Sequence, residues 1–177
     1  MNLNNFSEKL KVTIDASFNY AKENNLNFFL PVHVLIILLQ EDSLISKTLK
    51  ELKVNKPALL NESIKVSSEQ KLASKETQIQ SNVILLLNQI NDQISKYNVN
   101  NLDSLIALME LASDISPSTK KILNKFKLNY EQLKKYLEAI KNNKEDQYDN
   151  IKKYTIDLTD LAKNNKIDPI IGRENEI

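Results

Sequence analysis

Apolar residues recur every three to four positions along most of this 177-residue chain, which is the spacing of an amphipathic α-helix. Three such stripes stand out, one near the amino terminus, one in the middle and one after position 130. They consist of Phe6, Leu10, Ile14, Phe18 and Ala21; of Val83, Leu86, Leu87, Ile90, Ile94 and Tyr97; and of Leu133, Tyr136, Leu137 and Ile140. One glycine and four prolines leave few tight turns, so the pattern predicts an all-α fold.

Helix-start signals agree with these stripes. Pro31 and Pro117 suit first helical positions, where the N–H that proline lacks has no intrahelical partner. Ser116 is placed to cap the helix that Pro117 opens, and Asn129 with Gln132 forms a capping-box pattern. The sequence therefore predicts helix starts at residues 31 and 117 and just after residue 129.

The two halves of the chain resemble each other. Leu35–Leu39 corresponds to Leu105–Met109 at an offset of 70 positions, and Leu49–Leu60 corresponds to Leu123–Lys134 at an offset of 74. The pattern of each half predicts a long helix, a short apolar helix, a third helix, and a fourth that follows an asparagine cap. A polar stretch, Ser67–Gln80, joins the halves.

The repeat predicts the domain organisation. We expect about eight helices in two pseudo-twofold four-helix repeats, at about residues 1–66 and 81–142, that share one core within a domain of residues 1–142. Residues 143–177 are expected to form a linker and a further short helix. Hydrophobic residues make up 41% of the chain, enough for a packed core without disulfides, and there is no cysteine.

Charge and hydropathy limit the classes of partner that the chain is expected to bind. A net charge of +1 argues against a general nucleic-acid binder, since the lysines of residues 120–153 are interspersed with acidic residues. The longest apolar run, Val34–Leu39, is too short to span a membrane. The opening residues lack the features of a secretory signal. We therefore expect a cytoplasmic protein with neither nucleic acid nor membrane as a partner.

Candidate catalytic residues are few. His33 is the only histidine, and without a cysteine or second histidine it is expected to be a packed residue with one or two hydrogen bonds. Glu41 and Asp42 lie where solvated helix caps are usual. No serine sits in a Gly-x-Ser-x-Gly elbow, and no Gly-x-x-x-x-Gly-Lys-Ser/Thr phosphate loop occurs. We expect no catalytic residue, no metal site and no cofactor in this chain.

The tail carries the most specific motif. The segment Ile167–Arg173, with sequence Ile-Asp-Pro-Ile-Ile-Gly-Arg, resembles the entry to the first ATPase module of the Clp family of AAA+ unfoldases. The resemblance implies that residues 143–177 include the start of that module. It also implies that Ile170, Ile171 and Arg173 lie near nucleotide in a full-length protein that uses ATP and Mg²⁺. Asn165 replaces a glycine common in the family, and asparagine also suits a left-handed helix cap.

Further segments resemble the same family. Pro31–Leu35 matches its Pro-x-His-Leu signature, and Leu3–Lys9 and Gln147–Tyr154 are similar to its ClpB branch. The resemblance implies a noncatalytic amino-terminal domain of a disaggregase that weakly captures unfolded or aggregated polypeptide and hands it to a hexamer pore. Implied partners of the full-length protein are the DnaK system and a homohexamer. The alternative is the equivalent domain of a ClpA- or ClpC-like unfoldase, which docks adaptors for a protease.

The resemblance also implies a binding groove along the first helix of the second repeat and the start of the next helix. Carried over by position, its residues are Ser7, Gln89, Gln93, Leu102 and Asp103. Polar residues replace leucines that are usual in the family, so the groove is expected to be weak. A shift of one residue would bring Ile90 and Ile94 into the groove, but both fit the buried stripe and are interpreted as core.

Overall fold

Eight helices make up most of the part of the chain that the computed structural model describes, which is residues 3–70, 72, 75–98 and 101–143. They are α1 (Glu8–Glu23), α2 (Pro31–Glu41), α3 (Ser43–Glu51), α4 (Lys56–Ser68), α5 (Ser81–Tyr97), α6 (Asp103–Leu111), α7 (Pro117–Lys125) and α8 (130–143). The predicted all-α class and the predicted number of helices are confirmed for these residues. Pro31 and Pro117 occupy first helical positions, as predicted.

Equivalent backbone conformations recur 74 positions apart, at the offset found in the sequence. Lys53 and Lys127 both adopt a left-handed conformation, with φ of 60° and 62°. Two residues later an asparagine caps the next helix: the Asn55 side chain accepts from the Ala58 N–H at 3.1 Å, and Asn129 accepts from Gln132 at 2.8 Å. The cap at Asn129 is thus confirmed. The reciprocal half of the predicted capping box is absent, because Gln132 Oε1 has no hydrogen-bond partner.

The second helices of the two repeats align differently from the sequence match. Their N-caps are Leu30 and Leu102, which are 72 positions apart rather than 70. Both helices are runs of consecutive buried residues. Two uninterrupted apolar sequences can be aligned at several offsets, so the sequence match does not define the correct register.

The core lies around α2 and α6. Every residue from Pro31 to Leu39 and from Asp103 to Leu111 is buried. Helix α2 packs against α1 and α4 of its own half and against α6 and α7 of the other half. The two halves therefore share one core, within a compact unit of residues Met1–Leu137. Of the three predicted stripes only Phe18, Tyr136 and Ile140 are half-buried instead of buried.

A short parallel sheet joins the first repeat to the inter-repeat stretch and was not predicted. Strand β1 (Phe28–Phe29) pairs with β2 (Gln78–Ile79) at the end of the inter-repeat stretch. The side-chain amide of Gln70 accepts a hydrogen bond from the Phe28 N–H at 2.8 Å and donates one to the Phe28 carbonyl at 3.1 Å. Strands of two residues are too short to produce a recognisable alternation, so sequence pattern could not reveal them.

Two predicted caps differ from expectation. Ser116 occupies the N-cap position of α7, but its hydroxyl bonds the Thr119 hydroxyl instead of a backbone N–H. Asp42 caps α3 by accepting from the Ile45 N–H at 3.1 Å, yet it is buried and not solvated. Its carboxylate lies 3.5 Å from Lys9 Nζ, which partly offsets the cost of burying the charge.

Among the described helices none combines the length and the apolar character needed to cross a bilayer. The predicted linker and the start of the ATPase module, with Ile170, Ile171 and Arg173, lie outside the described residues.

Candidate functional site

Ser7 and Asp103, two of the predicted groove residues, are brought together by the fold. The Ser7 hydroxyl accepts from the Leu10 N–H at 3.1 Å and so caps α1. The Ser7 N–H donates to Asp103 Oδ2 at 2.9 Å, although the two residues are 96 positions apart. The hydrogen bond between Ser7 and Asp103 thus joins the amino-terminal segment to the start of α6.

Leu102 is not on the surface. It is the N-cap of α6 and only 1% of it is exposed, so it belongs to the core. This burial argues against the expected contact between Leu102 and a bound polypeptide. A charged residue at this position would test folding and not binding.

Gln89 and Gln93, two further predicted groove residues, lie on helix α5. Gln93 Nε2 donates to Glu110 Oε2 at 3.2 Å and to the Tyr130 hydroxyl at 3.3 Å. Asn91, which bonds the amino-terminal segment through the Asn5 N–H at 2.9 Å, is two residues away from Gln93. Two residues correspond to about 200° around a helix, so the Gln93 contacts and the contact of Asn91 with Asn5 lie on opposite sides of α5.

Ile84 and Leu85 occupy the exposed face of α5 between these flanks. Their exposed fractions are 37% and 60%, while Ile90 and Ile94 are buried, which confirms the core interpretation of that pair. Sequence reasoning missed Ile84 and Leu85. The signal was the run Val83–Leu87: a helix with one buried face buries only part of five consecutive apolar residues, so the others must face outward.

A cleft of about 560 Å³ opens beside Gln89. We call it the Glu110 cleft, and its lining residues are Gln89, Glu110, Ala112, Ser113, Asp114, Ile115, Lys120, Asn124, Asn129, Tyr130 and Glu131. Glu110 is only 1% exposed, and its Oε2 accepts from Gln93 and from the Tyr130 hydroxyl, the latter at 3.3 Å. Sequence reasoning did not identify Glu110, because a single charged residue in an apolar helix forms no motif and its partners Gln93 and Tyr130 are distant in sequence.

The titration of this cluster reflects its burial. Burial raises the pKa of the Glu110 carboxyl, and the hydrogen bonds from Gln93 and Tyr130 counteract part of this effect. Burial, with the nearby Glu110 charge, also raises the pKa of Tyr130 to about 12. The phenol therefore remains a hydrogen-bond donor to Glu110 throughout the ordinary pH range.

His33 is packed in the core with two hydrogen bonds, as predicted. Its Nδ1 accepts from the Leu30 N–H at 2.9 Å, so the proton of the neutral ring lies on Nε2, which donates to Ser67 Oγ at 3.0 Å. The ring stacks on Phe29 at 6.1 Å, and burial lowers its pKa to about 4. Among the described residues no cluster of three or more His, Cys, Asp or Glu side chains could hold a metal ion.

Comparison with known proteins gives a family match and several relatives. The model of the Clp repeat (R) N-terminal domain matches residues 5–126. Proteins named "Chaperone protein ClpB" from Rickettsia bellii and Rhizobium meliloti are 29% and 27% identical over 188 and 192 residues, which cover 100% of this chain. The chain spans 22% of the length of either relative.

Solved structures agree in fold. A chain from a malarial protein secretion system has a TM-score of 0.63 at 22% identity, with 78% of this chain and 95% of that chain covered. A chain from work on the ATPase ClpV, the TssB–TssC sheath and the accessory HsiE protein of type VI secretion has a TM-score of 0.62 at 14% identity, with 82% and 91% covered. At these identities the likeness concerns the fold alone.

Proposed function

Because this chain belongs to the Clp repeat N-terminal domain family, we propose that it recruits unfolded or aggregated polypeptide for a ClpB-type disaggregase. The ClpB names of its relatives support this choice over the adaptor-docking domain of a ClpA- or ClpC-like unfoldase. For the longer protein we propose a cytoplasmic homohexamer that uses ATP and Mg²⁺, works with the DnaK system and threads clients through its pore.

The exposed pair Ile84 and Leu85 is the observation that carries the proposal for this domain. The pair lies on α5, one turn before Gln89 at the rim of the Glu110 cleft. Apolar contact has no strict directionality, so such a surface accepts many sequences, as capture of unfolded chains requires. The proposed contact surface is this face of α5 with Gln89 and Gln93, and it excludes the buried Leu102.

The contact is expected to be weak. If about 300 Å² of apolar surface is buried, the gain is roughly 7 kcal/mol at ~25 cal/mol per Å², before the cost of ordering the client. That cost leaves an affinity in the micromolar to millimolar range. Weak binding suits an assembly of several copies, since tethering raises the effective concentration of the remaining sites.

Leu85→Ser is expected to weaken binding of a permanently unfolded protein by about fivefold or more, since the substitution removes the most exposed apolar side chain of α5. The measurement is an NMR titration of the chain, with shifts expected at Ile84, Leu85 and Gln89. Val12→Ser is the matched control, because Val12 is 66% exposed but lies alone on α1. Equal weakening by both substitutions, or shifts confined to residues 120–143, would contradict this surface.

A second prediction concerns chemistry. We propose that this chain by itself neither binds nor hydrolyses ATP, because no phosphate-loop motif occurs in it. Calorimetry with ATP and Mg²⁺ should give no saturable heat, and phosphate release should stay at background. Binding tighter than roughly 100 μM, a free energy near −5.5 kcal/mol, would refute the prediction.

A further inference from the structure

Glu110 is a buried carboxylate without a cationic partner. The four ion pairs found among the described residues do not involve it, and the groups that hydrogen-bond its carboxylate, those of Gln93, Tyr130 and Ser113, are all neutral. A charge that has lost its hydration is costly to bury unless an opposite charge compensates it. Since Glu110 lines an open cleft, a cation from outside the chain can supply that compensation.

The fold does not require a carboxylate at this position. Counting from the N-caps of α2 and α6, Glu110 corresponds to Leu38 of the first repeat, which is fully buried. The positions that correspond to Gln93 and Tyr130 are Tyr20, 73 positions earlier, and Lys56, 74 positions earlier. The bonded set of a glutamine, a glutamate and a tyrosine therefore exists in the second repeat alone, while the same helix packs in the first repeat with leucine.

The rest of the Glu110 cleft also favours a cation with an aliphatic stem. Glu131 adds an exposed carboxylate, whereas the one lysine of the lining, Lys120, is already paired with Asp114. Ala112 and Ile115 provide apolar lining, which suits the methylene groups of a lysine or arginine side chain.

We infer that the Glu110 cleft is a specificity pocket for a lysine or arginine side chain of the captured polypeptide. The inference rests on the proposed function, because the cleft shares Gln89 with the exposed face of α5 that carries Leu85. An unfolded segment with a basic residue close to an apolar one meets both surfaces. The domain thus selects among unfolded chains by charge in addition to apolar content.

The test compares three short unstructured peptides in which leucines flank a central arginine, citrulline or glutamate. Citrulline has the shape of arginine without its charge. By fluorescence anisotropy, the arginine peptide is expected to bind about tenfold more tightly than the citrulline peptide, equal to about 1.4 kcal/mol, and the glutamate peptide most weakly. Glu110→Gln should abolish the difference and leave the citrulline peptide unchanged. Glu23→Gln, which removes an exposed charge on α1, should retain the difference.

The outcomes separate this inference from the proposed function. If Leu85→Ser weakens all three peptides but arginine and citrulline bind equally, the specificity pocket is refuted and the apolar surface stands. If no peptide binds, the proposed function fails as well. A measurement that needs no variant is the NMR spectrum of the wild-type chain: the arginine peptide should shift Ala112, Ser113 and Tyr130, and the citrulline peptide should not. Equal shifts from both peptides would also overturn the inference.

Discussion

Leu105→Ala is expected to lower the free energy of unfolding by about 2–5 kcal/mol, the usual cost of removing a buried leucine side chain. Leu105 is fully buried in α6, where every residue from Asp103 to Leu111 is buried. Helix α6 packs against α5 of its own repeat and against α2 and α3 of the other repeat. A cavity at Leu105 therefore weakens the core that both repeats share, and the protein should still unfold in one transition.

Chemical denaturation followed by circular dichroism measures this effect. Leu85→Ala makes the same change of side chain at a position that is 60% exposed, so it should cost less than about 0.5 kcal/mol. Two separate transitions would show that the repeats do not form one cooperative core. Equal losses from Leu105→Ala and Leu85→Ala would show that α6 is not buried as described.

Acidification from pH 6.5 to pH 4 is expected to remove about 3 kcal/mol of stability through His33 alone. Burial lowers the pKa of His33 to about 4 in the folded protein, compared with about 6.5 in an unfolded chain. Between these values the unfolded state binds more protons than the folded state, so protonation favours unfolding. The contribution is fully present above pH 6.5, declines as the pH falls and is lost near pH 4.

His33→Gln isolates this effect, because His33 is the only imidazole in the chain. The variant will be less stable at neutral pH, since it loses the stacked ring, but its stability should vary less between pH 6.5 and pH 4. Burial raises the pKa of Glu110, so this group acts in the opposite direction and is common to both proteins. The difference between the two pH profiles is the quantity to compare. Parallel profiles would contradict a buried, neutral His33.

The fold could be predicted largely from the sequence because helical signals are local. Apolar spacing, prolines at first helical positions and an asparagine cap each involve residues within a few positions of one another. The offset of 74 was recovered because Asn55 recurs as Asn129 among matching apolar residues, and both asparagines cap a helix in the structure. The register of α2 against α6 was not recovered, because uninterrupted apolar runs carry no such markers.

The exposure of the candidate site residues was harder to predict, because exposure depends on packing between distant segments. Carry-over by position selected Leu102, which the packing at the start of α6 buries. It missed Leu85, since the carry-over followed the family's groove positions, although the buried stripe of α5 leaves Ile84 and Leu85 out. The pairing of Ser7 with Asp103 spans 96 positions, and no local pattern indicates it.

By itself, the sequence determined the class of the fold, the helix starts at Pro31, at Pro117 and after Asn129, the duplication and the packed state of His33. These properties follow from hydrogen bonding and apolar spacing within one or two turns of the chain. Only the tertiary structure decided that Glu110 lies buried at a cleft with Gln93 and Tyr130. Those contacts join residues 17 to 37 positions apart, and burial of a charge is a property of all its neighbours together, which no single segment encodes.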